Sequence, residues 1–264
     1  MALVVKLRAY FRLFLFLLIS IFLLPLVILF QLLKIAPAKA FMTKLYYRLS
    51  ACSWGIRLAK KGEFAKERPL LVVSNHCSYA DIPVLGSFAP VHFTPKADIA
   101  SWPVIGHLCR LSECVFIDRN PRKTAKNMAE LNKAMQKGWM VSLFPEGTTN
   151  DGTELQPFRS SYFSLAEQGL PVQMVTVAYS QPNGQPLSPQ AMRKVAWIGD
   201  DEFSPHLMDF LGQPTILATV ICHEVTSIEK FENRKALAAH CHQIVETGLK
   251  KRALPERNAH INGG

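Results

Sequence analysis

From Leu13 to Leu33 the chain carries no charged residue, and Leu, Ile, Phe and Val fill most positions. At about 1.5 Å per helical residue, such a run covers the roughly 30 Å hydrocarbon core of a bilayer. It is longer than the apolar region of a cleaved leader, and no small-residue cleavage site follows it. Lys6, Arg8 and Arg12 flank one end, while Lys34, Lys39, Lys44 and Arg48 flank the other. The positive-inside rule then favours both ends on the cytoplasmic side. That pattern predicts a kinked, re-entrant anchor with its bend at Pro25, a single straight span being the alternative. Phe41, Leu45, Leu49, Cys52 and Ile56 recur at helical spacing beside Lys44 and Arg48, which predicts a second helix against lipid or against the first. Residues 1–60 are therefore expected to form a two-helix anchor, residues 61–254 the main domain, and residues 255–264 a flexible tail.

The main domain reads as α/β. Apolar strand patterns at 70–74, 91–94, 114–117, 139–144, 172–179, 195–198 and 215–225 alternate with helical patterns at 82–88, 121–137, 159–168, 205–211 and 231–252, which predicts a mixed sheet flanked by helices. The Pro- and Gly-rich run from Gln181 to Gln190 predicts a loop. Lys and Arg outnumber Asp and Glu by 30 to 20, for a formal charge of +10. An anionic partner follows, and the surface of a phospholipid membrane fits better than nucleic acid, since no nucleic-acid-binding signature accompanies the charge. The six cysteines include no C-x-x-C pair, which favours reduced thiols facing the cytosol. Cys222-His223 and His240-Cys241-His242 lack zinc-ligand spacing, so no metal is expected.

Three stretches carry chemistry. L-L-V-V-S-N-H-C-S-Y-A-D, from Leu70 to Asp81, reads as a buried strand followed by a polar turn, with Asn75 and His76 just past its carboxyl end, where open α/β sheets build their sites. His76 and Asp81 are five residues apart, a spacing that a turn closes. The carboxylate would then fix the imidazole tautomer and stabilise the imidazolium, as a general base acting on a hydroxyl requires. The plain alternative is that Ser78 or Asp81 only caps a helix. V-F-I-D-R ends at Arg119, whose guanidinium suits a phosphate or carboxylate. F-P-E-G-T-T-N places Glu146 and Gly147 at another strand end, with Gly147 able to admit a close backbone approach. Each of the last two stretches, taken alone, is as well explained by a turn or a solvated ion pair.

In this order, N-H-C-S-Y-A-D, F-I-D-R, F-P-E-G-T and the later G-L-P-V-Q-M-V resemble the four blocks of the glycerolipid acyltransferases, the family that contains 1-acylglycerol-3-phosphate acyltransferase. The resemblance runs from about Leu70 to Val177. It implies that His76 is the general base toward the acceptor hydroxyl and Asp81 its orienting partner. Arg119, Glu146, Gly147 and Thr148 would shape the headgroup pocket, Lys96 would meet a phosphate, and Pro171 would lie near the acyl path. It implies a lysolipid acceptor, an acyl thioester of acyl carrier protein or coenzyme A as co-substrate, no further cofactor, and attachment to the inner membrane with the catalytic domain on the cytoplasmic side. Two positions depart from the family pattern: Glu113 stands where the second block has Gly, and Thr149 stands where many phosphate-binding members carry a base. The run from Phe144 to Ser161, with S-W-P-V-I-G, resembles the lyso-ornithine lipid acyltransferase subgroup. Lysophosphatidate is the first expectation for the acceptor, carried by Arg119 and Lys96, and lyso-ornithine lipid the alternative. A serine esterase is disfavoured because no G-x-S-x-G elbow is present. A membrane-bound binding protein that keeps the fold without the chemistry is the competing class.

Overall fold

The computed structural model describes residues 3–102, 105–118, 123–152, 154–199 and 201–251. In chain order the elements are α1 (Leu3–Leu32), α2 (Ala36–Ser53), β1 (Ile56–Lys61), β2 (Leu70–Ser74), α3 (Asp81–Gly86), β3 (Val91–Phe93), α4 (Ile105–Leu111), α5 (Thr124–Gln136), β4 (Met140–Leu143), β5 (Val172–Ser180), α6 (Pro189–Val195), α7 (Phe203–Leu211), β6 (Ile216–Thr226) and α8 (Arg234–Lys251). The strands form one mixed sheet in the order β1-β6-β5-β2-β4-β3. β5, β2, β4 and β3 are mutually parallel, β6 runs antiparallel to β5, and β1 is parallel to β6. Every residue of β2, β4 and β5 is buried, the pattern of central strands covered on both faces.

Strand alternation sends successive side chains into two cores. Leu70, Val72, Val175, Val177 and Tyr179 face one side, where they meet Val84 and Leu85 of α3, Phe210 and Leu211 of α7, and Ala9, Tyr46, Tyr47 and Ala51 of the N-terminal helices. Leu71, Val73, Val141 and Leu143 face the other, against Leu131 and Met135 of α5 and Leu237, Cys241 and Val245 of α8. Each such side chain contributes roughly 1.5–3 kcal/mol on burial. The N-terminal helices thus share a core with the sheet.

The anchor differs from expectation in where it reverses. α1 continues through Pro25, and the chain turns back at Leu33–Ile35, where Lys34 has φ 56°, before α2 starts with proline in its first turn. Packing along α2 compensates the hydrogen bond that Pro25 removes, so the helix need not break there. The Ser20 and Tyr46 hydroxyls meet at 3.2 Å, and Phe16 packs edge-on against Trp54. At its other end α1 is fastened to α7: the Arg12 guanidinium donates to the carbonyls of Leu211 (2.9 Å) and Gln213 (2.7 Å), and Arg8 to that of Gly212 (3.3 Å). These carbonyls end a helix, where cations are favoured. The outward face of α1 remains apolar, with Tyr10, Phe11, Phe14, Ile21 and Phe22 each 59–67 % exposed. An uncovered face of this kind, on a helix long and apolar enough to cross a bilayer, makes α1 a candidate membrane anchor.

The boundary expected at residue 60 falls inside β1. Helix α2 stops at Ser53, Gly55 takes φ +83°, and the chain enters the edge strand at Ile56, paired with Ile216. A left-handed glycine just past a helix is its usual terminator, and here a Cβ would also strike the Arg12 guanidinium. Residues 114–117 run beside the end of β3, Val115 N bonding Phe93 O at 2.9 Å and Ile117 N bonding Pro95 O at 2.9 Å, but form only an isolated bridge rather than a strand. The strand expected at 195–198 is the end of α6 and a turn, and the helix expected at 159–168 is two 3-10 turns. The expected tail at 255–264 lies outside the described residues.

Candidate active site

The carboxyl ends of β2, β4 and β5 meet at one edge of the sheet. β2 stops at Ser74, and the Asn75 side chain then replaces the backbone ladder: its Nδ2 donates to Val177 O (2.9 Å) and its Oδ1 accepts from Val177 N (2.8 Å). With Asn75 held on β5, the chain turns and presents His76. Its Nδ1 lies 2.8 Å from Asp81 Oδ2, while the Asp81 side chain is fully buried and that of His76 is 18 % exposed. Asp81 Oδ2 also accepts the amides of Cys77 (3.0 Å) and Ser78 (3.1 Å), and Oδ1 accepts the Tyr179 hydroxyl (2.7 Å). A carboxylate gripped by three other donors has a fixed orientation, and an Nδ1–H donated to it leaves Nε2 as the available ring nitrogen. Phe144 stacks on the imidazole at 4.0 Å between centroids, 13° from parallel.

Glu146 supports the same turn from β4. Oε1 accepts the His76 amide at 2.7 Å, and Oε2 accepts Gln156 N at 2.9 Å and the Asn150 amide. Burial raises the Glu146 carboxyl to about 7, although all three hydrogen bonds pull the other way. The plain alternative, that Ser78 or Asp81 only caps a helix, is not what the structure shows: Asp81 is the first residue of α3, the residue before it is Ala80, no side chain caps the helix, and the amides that Asp81 accepts belong to the turn ahead of it.

Of the residues singled out from sequence, His76, Asp81, Glu146 and Gly147 come together at this edge, with Thr148 exposed beside them. Lys96 follows β3 at the same edge and its backbone bridges Ile117, but its ammonium pairs with Asp98. Arg119 lies outside the described residues. Pro171 does not join this cluster. It precedes β5 at the opposite end of the sheet, its carbonyl accepting Leu71 N at 3.0 Å, and at about 3.3 Å per residue it is some 15 Å along the strands from His76. Being parallel to β2, β5 can deliver only its own carboxyl end, at Val177 and Tyr179, to the site. Glu113, standing where glycine was expected, takes φ +53°; its carboxylate pairs with Lys39 of α2 at 2.5 Å.

Sequence reasoning assigned no role to Tyr179 and Phe144, whose partners Asp81 and His76 lie far off in the chain, or to Asn150, whose side chain meets Glu146 four residues earlier. It also missed the junction with the anchor. Trp54, at the end of α2, packs edge-on against Tyr79, three residues beyond His76, and the Tyr79 hydroxyl meets His206 Nδ1 of α7 at 3.0 Å. Among the described residues no group of three or more His, Cys, Asp or Glu side chains is arranged to hold a metal ion. His223 bonds the Thr176 hydroxyl at 2.9 Å instead.

An imidazole–carboxylate pair at the carboxyl edge of a half-open mixed sheet, joined to an apolar hairpin, is the arrangement of a membrane-associated acyltransferase. Residues 55–180 match the Acyltransferase family. The chain is 32% identical over 243 residues to a lyso-ornithine lipid O-acyltransferase of Rhizobium meliloti, covering 89% of this chain and 83% of that one. A lyso-ornithine lipid O-acyltransferase of Brucella abortus is 32% identical over 224 residues, 80% of this chain and 84% of the other. A 1-acyl-sn-glycerol-3-phosphate acyltransferase of Neisseria gonorrhoeae is 36% identical over 131 residues, 47% of this chain and 50% of that one. The crystal structure of the 1-acyl-sn-glycerophosphate acyltransferase of Thermotoga maritima has the same fold, with a TM-score of 0.69 over 97% of both chains at 19% identity. The chain belongs to the acyltransferase family and is an O-acyltransferase.

Proposed function

We propose that this enzyme transfers a fatty acyl group from an acyl thioester to the free hydroxyl of a lyso-ornithine lipid, with His76 as general base. The observation that carries the mechanism is the His76–Asp81 pair, with Asp81 immobilised by three further donors. Nε2 of His76 takes the hydroxyl proton as the oxygen attacks the thioester carbonyl. The tetrahedral intermediate then collapses, the C–S bond breaks, and the imidazolium returns its proton to the departing thiolate. Ester and thiol leave, and His76 is neutral again. Asp81 stabilises the imidazolium between the two proton transfers.

Two observations favour the lyso-ornithine acceptor over the lysophosphatidate that the sequence put first. Thr149 brings no charge to the position where a phosphate would need one, and Lys96 is committed to Asp98. The relatives with that name also align along 80–89% of the chain, whereas the Neisseria relative aligns over about half. The lysolipid would reach His76 without leaving the membrane, because the hairpin touches the catalytic turn through Trp54 and Tyr79. Both ends of the hairpin lie on the domain's side, and Lys6, Arg8 and Arg12 are found at that end, which favours a cytoplasmic catalytic domain by the positive-inside rule. Acyl carrier protein and coenzyme A are both acidic enough to suit the basic chain as donors, and no cofactor is needed.

The deciding experiment supplies labelled acyl thioesters in both donor forms to purified protein in detergent, with lyso-ornithine lipid and lysophosphatidic acid as acceptors. Wild type should prefer lyso-ornithine lipid, and His76→Ala and Asp81→Asn should each lose ~10²–10⁴-fold in turnover. Preference for lysophosphatidic acid would overturn the acceptor, wild-type rates in either variant would overturn the mechanism, and folded protein with no turnover on either lipid would favour a binding protein.

A further inference from the structure

Gly147 admits a close approach, and the group that makes it is an arginine. Gly147 is buried with φ +76°, and a Cβ placed on it would lie 3.1 Å from the guanidinium carbon of Arg159, 3.2 Å from Nε and 3.3 Å from Nη1. The guanidinium therefore lies across the backbone of the F-P-E-G-T turn, in space that any other residue at 147 would fill. Arg159 N donates to Pro145 O at 3.0 Å, so its backbone is held on the same turn as its head. One residue before Gly147, Glu146 holds the His76 amide. Arg193 and Arg234 pair with Asp201 and Glu167, but among the described residues no carboxylate pairs with Arg159, which is exposed. A cation at the rim of the catalytic turn, fixed at its base and unneutralised at its head, is a place for an anion.

We propose that Arg159 is the acceptor-recognition residue, its guanidinium binding the anionic group of the lysolipid headgroup; on the function proposed above, on which this assignment rests, that group is the ornithine carboxylate. A planar guanidinium offers a carboxylate two parallel N–H donors, which a lysine cannot. In a lyso-ornithine lipid the free hydroxyl belongs to the amide-linked fatty acid, a few bonds from the carboxylate, so the headgroup anion must lie close to whatever group deprotonates the hydroxyl. The phosphate of a lysophosphatidate presents the same chemistry. The donor's phosphates stand off at the far end of the pantetheine arm, beyond the reach that ties Arg159 to the His76 turn.

The test measures kcat and KM for purified wild type, Arg159→Gln and Arg159→Lys on lyso-ornithine lipid, on its carboxyl methyl ester and on lysophosphatidic acid. Arg159→Gln should raise the KM for lyso-ornithine lipid by ~10–100-fold, as expected for losing hydrogen bonds to a charged group, while kcat changes little and Arg159→Lys recovers part of the loss. The methyl ester should be a poor acceptor for wild type and no worse for Arg159→Gln, a signature that a merely structural arginine would not give. An equal loss on ester and free acid, or a rise confined to the thioester KM, overturns the assignment. If wild type takes only lysophosphatidic acid, the lyso-ornithine reading fails by itself. A raised KM for that lipid in Arg159→Gln then supports Arg159 as the headgroup cation, and an unchanged KM overturns it.

Discussion

Glu146 is buried beneath the catalytic turn, and burial outweighs its three hydrogen bonds to lift its carboxyl to about 7 from the ordinary 4.5. Between those two values the folded protein holds a proton that the unfolded chain has released. The stability from that proton is therefore present at low pH and is lost as pH rises through about 7. A shift of this size corresponds to roughly 3 kcal/mol at most, at about 1.4 kcal/mol per unit. Glu146→Gln, which cannot ionise, removes the dependence. The difference in Tm between wild type and Glu146→Gln should move against wild type between pH 5 and pH 8. Thermal melts across that range check it, and a constant difference would show that Glu146 ionises as an exposed carboxyl does. Because Glu146 holds the His76 amide, the same titration sits directly under His76.

At the scale of elements the site depends on a gap in the sheet. β2 pairs with β5 as far as Ser74 and Val175, after which the Asn75 side chain takes both backbone groups of Val177. Asn75→Ala would leave a buried N–H and a buried carbonyl without partners, at ~1–3 kcal/mol each. Denaturant unfolding should show a loss of about 2–5 kcal/mol, and an unchanged midpoint would mean that water or the backbone can replace the amide. Local patterning made β2, β4 and β5, and with them His76, Asp81 and Glu146, legible in the sequence, since each lies within a few residues of a strand end. Tyr179 and Arg159 were not legible: what joins Tyr179 to Asp81 is the parallel pairing of strands a hundred residues apart, and no local spacing encodes it. β1 was hidden for a related reason. Its Lys60 and Lys61 break any apolar strand pattern, and it is a strand because β6 offers it an edge. That Pro171 lies at the end of β5 away from His76 was equally hidden, because a block of sequence does not reveal which end of its strand faces the site.

The whole molecule behaves as one body in which the membrane hairpin closes the core. α1 supplies Ala9 and partly buried Leu13, Phe16 and Leu23 to the cluster that contains Tyr46, Ala51, Phe210 and Leu211, and Arg12 satisfies the carbonyls that end α7. Removing residues 1–33 would uncover that cluster and strand those carbonyls, so the truncated chain should lose its cooperative melt as well as its membrane. Membrane attachment is separable from folding only on the outward face. Phe11, Phe14 and Phe22 are each about 60 % exposed, and one Asp placed at each in the same chain costs nothing in the protein core. In lipid each charge at mid-bilayer depth costs ~2.5–3.5 kcal/mol on insertion scales. The triple variant should shift from the membrane to the soluble fraction in a flotation assay while its Tm in detergent stays within a few degrees of wild type. Its turnover on detergent-dispersed lysolipid should persist, and its turnover on lysolipid held in vesicles should fall, because the hairpin on which Tyr79 packs through Trp54 would no longer hold the domain at the bilayer. Full retention of the variant on membranes would transfer the attachment to α2 and the basic surface. A melt as damaged as that of the truncation would mean that the outward face of α1 packs against protein rather than lipid.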